Sequence, residues 1–142
     1  MEQVSNAILL PAVHHPLVGD ELNSTYRILG VLGEGGMGTI FLAYHLRLHC
    51  RVALKMLRRS VTAEGGCLRR FRHEARLVAE LQHPHIVTVL DFALTHEARP
   101  YLVMELLEGQ TLAQRLARDR SIPVAEVARI VREIAGALTH TH

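Results

Sequence analysis

Leu32-Gly33-Glu34-Gly35-Gly36-Met37-Gly38-Thr39-Ile40-Phe41-Leu42-Ala43, followed by Val52-Ala53-Leu54-Lys55, is the stretch around which the chain is organised. Four glycines within six residues let the backbone turn sharply and bring N–H groups close to another surface, which a Cβ would block. A phosphate chain is the guest this favours. The spacing Gly33-x-Gly35-x-x-Gly38 also suits a dinucleotide-binding turn, but that turn needs a helix to open after the last glycine so that its N-terminus faces the pyrophosphate. Thr39-Ile40-Phe41-Leu42-Ala43-Tyr44 is β-branched, aromatic and apolar, and reads as a strand. The glycines are therefore expected in a hairpin between two strands. The next strand carries one lysine, Lys55, among apolar neighbours, placed to reach phosphates under the loop.

Gly33-x-Gly35-x-x-Gly38-x-Ile40 together with Val52-Ala53-Leu54-Lys55 resembles the glycine-rich loop and phosphate-binding lysine of protein kinases. The wording LGEGGMGTIFLAYH is most similar to the bacterial serine/threonine kinases of eukaryotic type. Ile40 stands where the family pattern has Val, which keeps a branched apolar lid over the adenine.

Composition is compatible with this. A chain of 142 residues with 49% hydrophobic and 21% charged content is long enough for one domain with its own core. A formal charge of only +2 gives no argument for nucleic acid or a membrane surface as partner. Arg69, Arg70 and Arg72 read as the solvated face of a helix. Cys50 and Cys67 have no metal-ligand spacing and are too few for a disulfide framework, so free thiols are expected. His45/His49, His83/His85 and His140/His142 are pairs that no cysteine or carboxylate cluster completes, and no metal site is expected. No apolar run approaches the roughly 18 residues of a membrane span, and Glu2 before the short run at 7–13 argues against a secretory signal.

Taken in order, residues 1–22 show no period and are expected to form a flexible extension. Strands follow at residues 26–32, 39–45 and 51–57, joined by the glycine hairpin and a turn at 47–50, which implies an antiparallel sheet. The period then changes. Leu68, Phe71, Ala75, Val78 and Leu81 recur at intervals of three and four, the stripe of an amphipathic helix, and His83-Pro84 stops it. Two more strands are expected at residues 86–92 and 100–105. Ile28, Val52, Leu54, Phe71, Val78, Val87 and Val103 are the expected core. Thr111 is placed to cap a short helix from Leu112 to about Arg118, and Pro123 suits the first turn of a second, whose stripe is Val127, Ile130, Val131, Ile134 and Leu138.

The kinase resemblance extends along residues 23–142 and implies an α+β fold: a kinase-like small lobe of five antiparallel strands with one αC helix (residues 23–105), then the hinge and the αD and αE helices that begin the large lobe (residues 106–142). It implies that Glu74, in Phe71-Arg72-His73-Glu74-Ala75, pairs with Lys55, and that these two are the catalytic residues present. His85, in a turn away from the chemistry, replaces the family's Asn. Nucleotide contacts are implied for Leu32, Gly33, Glu34, Gly35, Gly36, Met37, Gly38, Ile40, Ala53, Lys55, Met104, Glu105, Leu107 and Thr111. Among these, Ile40 and Ala53 sandwich the adenine, Met104 is the gatekeeper behind it, and Glu105 and Leu107 offer backbone carbonyl and N–H groups to its edge. The cofactor implied is ATP, with Mg2+ in a complete kinase, and the partner is a protein substrate in a cytoplasmic setting. The family's H-R-D-x-x-x-x-N and D-F-G motifs do not occur in these 142 residues, so a chain inactive by itself is expected, whose last helix is frayed, self-associated or held by a partner. The alternative is a non-catalytic module that binds nucleotide or a partner.

Overall fold

The computed structural model describes residues 15–58 and 83–140, and among the remainder Arg69, His73 and Arg76. Among the described residues six strands form one sheet: β1 (Glu21–Leu22), β2 (Tyr26–Gly35), β3 (Gly38–His45), β4 (Cys50–Leu57), β5 (Val89–Leu94) and β6 (Pro100–Glu105). Their spatial order is β1-β2-β3-β4-β6-β5, and every pairing is antiparallel. Two helices follow, α1 (Leu112–Asp119) and α2 (Val124–His140). The antiparallel small-lobe architecture is as expected, with one strand more.

That strand corrects two expectations, the count of five strands and a flexible extension up to residue 22. Asn23 and Ser24 both adopt φ of 50°, and the Thr25 N–H donates to the Leu22 carbonyl at 3.0 Å, so the backbone reverses tightly and lays Glu21–Leu22 along β2. Gly19 N–H donates to the Ile28 carbonyl, and Ile28 N–H to the Asp20 carbonyl. Leu22 is buried and Leu17 packs against the core. None of this has a sequence period because each contact is made by one residue.

Alternation along the strands assigns two faces. On β4, Val52, Leu54 and Met56 are at most 1% exposed, and they share a face with Phe41, Ile28, Tyr101 and Val103 in one core cluster. Of the expected core, Ile28, Val52, Leu54 and Val103 are there. Val87 is not; it is half-buried and faces a cleft. Phe71 and Val78 lie outside the described residues, whereas the three described neighbours Arg69, His73 and Arg76 are helical and exposed. Their spacing of four and three puts them on one polar helix face.

The tyrosine hydroxyls within this core are paired. Tyr26 Oη donates to Asp91 at 2.9 Å, joining β2 to the opposite edge strand. Asn23 Nδ2 donates to the Leu94 carbonyl and to Tyr101 Oη, both at 2.9 Å. Burial pushes both tyrosine hydroxyls above their ordinary pKa, reinforced at each by the Asp91 carboxylate. Ends of the sheet that are far apart in strand order are thus tied by hydrogen bonds, as a strongly curled sheet requires.

Candidate functional site

Lys55, Ala53, Ile40 and Met104 are brought to one face by register. Ile40 stands opposite Lys55 and Leu42 opposite Ala53 in the β3–β4 ladder, while Ala53 stands opposite Met104 across β4–β6. Residues paired directly across strands share a face, so this set turns away from the core occupied by Phe41, Leu54 and Val103. Two cavities open on it. One, of about 280 Å³, is walled by residues 33–38 with Ile40 and Lys55. The other, of about 470 Å³, is lined by Leu32, Ile40, Ala53, Val87, Met104 and the segment from Glu105 to Thr111 with Gln114. Ile40 belongs to both.

The glycines work by close approach. No residue of the loop has a positive φ, so the hairpin does not depend on left-handed backbone. At Gly38 a Cβ would lie 2.1 Å from the Met56 carbonyl oxygen, a contact that only a bare Cα avoids. At Gly33, Gly35 and Gly36 a Cβ would meet nothing within 4 Å. Their bare backbone leaves open space over the smaller cavity.

Main-chain ties position the far wall. Glu105 N–H donates to the Thr88 carbonyl at 3.0 Å, and the Glu105 carboxylate accepts from Thr88 N–H at 2.7 Å. The second bond holds the Glu105 carboxyl below the usual range. Gly109, at φ 127°, supplies a turn in this wall that disfavours a side chain, and the backbone enters α1 through a reciprocal cap. Gln114 N–H donates to Thr111 Oγ1 at 3.1 Å, and Thr111 N–H donates to Gln114 Oε1 at 2.8 Å, satisfying two backbone donors at once.

Of the anticipated residues, Leu32, Ile40, Ala53, Met104, Glu105, Leu107 and Thr111 line the larger cavity, and Gly33, Glu34, Gly35, Gly36, Met37, Gly38, Ile40 and Lys55 the smaller. Glu74 lies outside the described residues. Val87, Gly109 and Gln114 join the site without having been anticipated in it. The spacing Thr111-x-x-Gln114 is a capping-box signal that points to Gln114 from sequence; Val87 carries no signal separating a cleft wall from a core.

Residues 26–142 match the protein kinase domain family. The chain belongs to the protein kinase family. The serine/threonine-protein kinase pkn3 of Myxococcus xanthus is 36% identical over 125 residues, covering 88% of this chain and 23% of that protein. PrkC of Bacillus subtilis is 35% identical over 126 residues, covering 89% and 19%. The PknI kinase domain of Mycobacterium tuberculosis superposes with a TM-score of 0.75 at 33% identity, covering 88% of this chain and 50% of that structure. This kinase sequence therefore spans about a fifth of those curated relatives and half of the solved domain. Kinases of this family use ATP and Mg2+ to phosphorylate proteins. No helix among the described residues is long and apolar enough to cross a membrane.

Proposed function

We propose that these residues form the ATP-binding part of a serine/threonine protein kinase, and that phosphoryl transfer to a protein hydroxyl belongs to the whole protein. The observation that carries this reading is a pair of unlike cavities that share Ile40: a largely apolar slot lined by Ala53 and Met104, and a glycine-walled space holding Lys55. An adenine fits the first by shape and apolarity. A triphosphate fits the second, where bare backbone and one ammonium group meet it.

In this reading Ile40 and Ala53 pack on the base from the sheet side, Met104 closes the back, and Glu105 and Leu107 offer main-chain groups to its edge. Lys55 holds phosphate oxygens, and Glu74 fixes the lysine. None of the 142 residues matches the family's general base or magnesium ligands, so neither role is assigned. Positioning and charge neutralisation supply most of the catalysis in phosphoryl transfer, and this part of the protein contributes the grip on the nucleotide. The setting that fits such a domain is the cytoplasm.

Calorimetric titration of the protein with ATP tests the reading. The expected Kd lies in the range of roughly micromolar to millimolar, with little dependence on Mg2+. Lys55→Met should weaken binding by about tenfold or more while leaving the far-UV circular dichroism unchanged. Undetectable ATP binding by the folded protein would favour a module that binds a partner instead. Tight binding that requires Mg2+ would mean that the metal ligands are among these residues after all.

A further inference from the structure

The segment 15–22 begins on the core face of the sheet, opposite the cleft, with His15 against Phe41 of the strand that carries Ile40, and ends paired along the edge of β2. Strand β3 is loaded on both faces: Ile40 lines the cleft, and its neighbour Phe41 is fully buried on the other side. The His15 ring meets the Phe41 ring edge-on, with centroids 4.8 Å apart and planes at 75°. His15 also accepts the Leu17 N–H on Nδ1 at 3.3 Å, which orients the ring, and Leu17 packs on the core beside it.

The same segment grips β2 where the sheet is least regular. Both hydrogen bonds from residues 19 and 20 are to Ile28. The β2–β3 ladder shifts register between Ile28 and Gly30, and again between Val31 and Gly33. A bulge leaves one residue unpaired, disrupts the ladder locally and bends the strand. Between Ile28 and the glycine loop, the pairing of β2 with β3 is thus interrupted twice, starting at the residue that the segment holds.

We propose that residues 15–22 act as a strap that sets the position of the glycine loop, so that the N-terminal segment controls nucleotide grip from the far side of the sheet. The linkage runs from His15 through Phe41 to Ile40, and from Gly19 and Asp20 through Ile28 into the bulged stretch of β2. A strap that is lifted lets β2 and β3 spread, and the loop loses its register over Lys55. Whatever binds or modifies the protein at this segment would alter ATP affinity without entering the cleft. The effect on affinity rests on the ATP-binding reading; the mechanical linkage does not.

The test compares His15→Ala and His15→Phe with the parent protein, reading ATP affinity by calorimetry and backbone amide exchange by mass spectrometry. The edge-on ring contact is worth about three- to tenfold in an equilibrium. His15→Ala should weaken ATP binding by up to that factor and speed exchange through residues 30–42, beyond the strap itself. His15→Phe, which keeps a ring against Phe41, should restore both. Leu48→Ala, at an exposed turn, serves as the control that changes neither. Faster exchange confined to residues 15–22, or an unchanged affinity in a protein that does bind ATP, would overturn the proposal. If the parent binds no ATP, rapid exchange at 30–42 in His15→Ala with rescue by His15→Phe still supports the linkage while the nucleotide reading fails.

Discussion

Phe41, Leu54 and Val103 in the sheet are fully excluded from water, whereas Val127, Val131 and Ile134 on α2 remain 43%, 59% and 52% exposed. Both sets are apolar and occupy one face of their own strand or helix, yet they live in opposite environments. In the sheet, five strands contribute to a common cluster, and the tyrosine hydroxyls there have partners. In α1 and α2, Ala137 alone is buried. What joins α1 to α2 is charge: Arg115 makes a two-pronged contact with Glu126, the second bond being 2.8 Å, and Asp119 and Arg129 extend it. Periodicity in a sequence therefore reports which face is apolar; it does not report whether anything covers that face.

The largest consequence concerns truncation of apolar side chains. Leu54→Ala should destabilise by about 2–5 kcal/mol, since it removes transfer energy and leaves a cavity that a closely packed sheet closes only in part. Ile134→Ala, on a half-exposed site, should change stability by less than about 0.5 kcal/mol. Urea denaturation of the two variants measures the contrast directly. Similar losses would erase the distinction between the regions.

Within the sheet, the glycines can be ranked. Gly38→Ala forces a methyl against the Met56 carbonyl, which is backbone and gives little, and should cost about 1–3 kcal/mol. Gly36→Ala meets open space and should leave the midpoint of thermal unfolding nearly where it was. Its effect should fall on nucleotide affinity instead, by narrowing the space that a phosphate would fill.

Acid should separate the two regions in the other sense. Hydrogen bonds from Arg115 hold Glu126 below the usual carboxylate range, and those from Arg118, with the Arg115 charge nearby, do the same to Asp119. A carboxyl depressed on folding stabilises above its unfolded pKa of roughly 4, and that contribution disappears as pH falls through the lower, folded value. Glu105 follows the same rule at the cleft. Below about pH 4 the contact between α1 and α2 should therefore loosen first, seen as loss of helical circular dichroism while the tyrosine near-UV signal of the sheet persists. Loss of both signals together would mean that the helices and sheet unfold as one unit.

The smallest expected change is a gain. Ser24 occupies the left-handed region at φ 50°, where glycine is unstrained, so Ser24→Gly should stabilise by about 0.5–1 kcal/mol. The same gain at Asn23 is not expected, because its side chain binds Leu94 and Tyr101. An increase in melting temperature of a few degrees would sharpen the view that residues up to 22 belong to the sheet.

The strand carrying Lys55, the hairpin before it and the wall at Met104 are legible in the sequence because period and residue type agree there. Lys55 opposite Ile40 and Ala53 opposite Met104 follow once the strands are placed. The strap at 15–22 is not legible: its contacts are single long-range events, such as His15 on Phe41 and Asn23 on Tyr101, which leave no repeating pattern. Val87 reads as core from sequence because an apolar β-branched residue looks the same on either face of a sheet. The glycine loop is legible in position but not in cause, since the backbone needs no left-handed turn and uses Gly38 for close approach to β4.

In the ATP-binding proposal the sheet and the wall beside it grip the nucleotide, and no residue of α2 lines either cavity. Amide hydrogen exchange on dilute protein, with and without saturating ATP, tests it most directly. ATP should slow exchange at residues 33–38 and 105–111 and leave residues 124–138 as fast as before. Unchanged exchange in the glycine loop, or protection appearing on α2 instead, would contradict it.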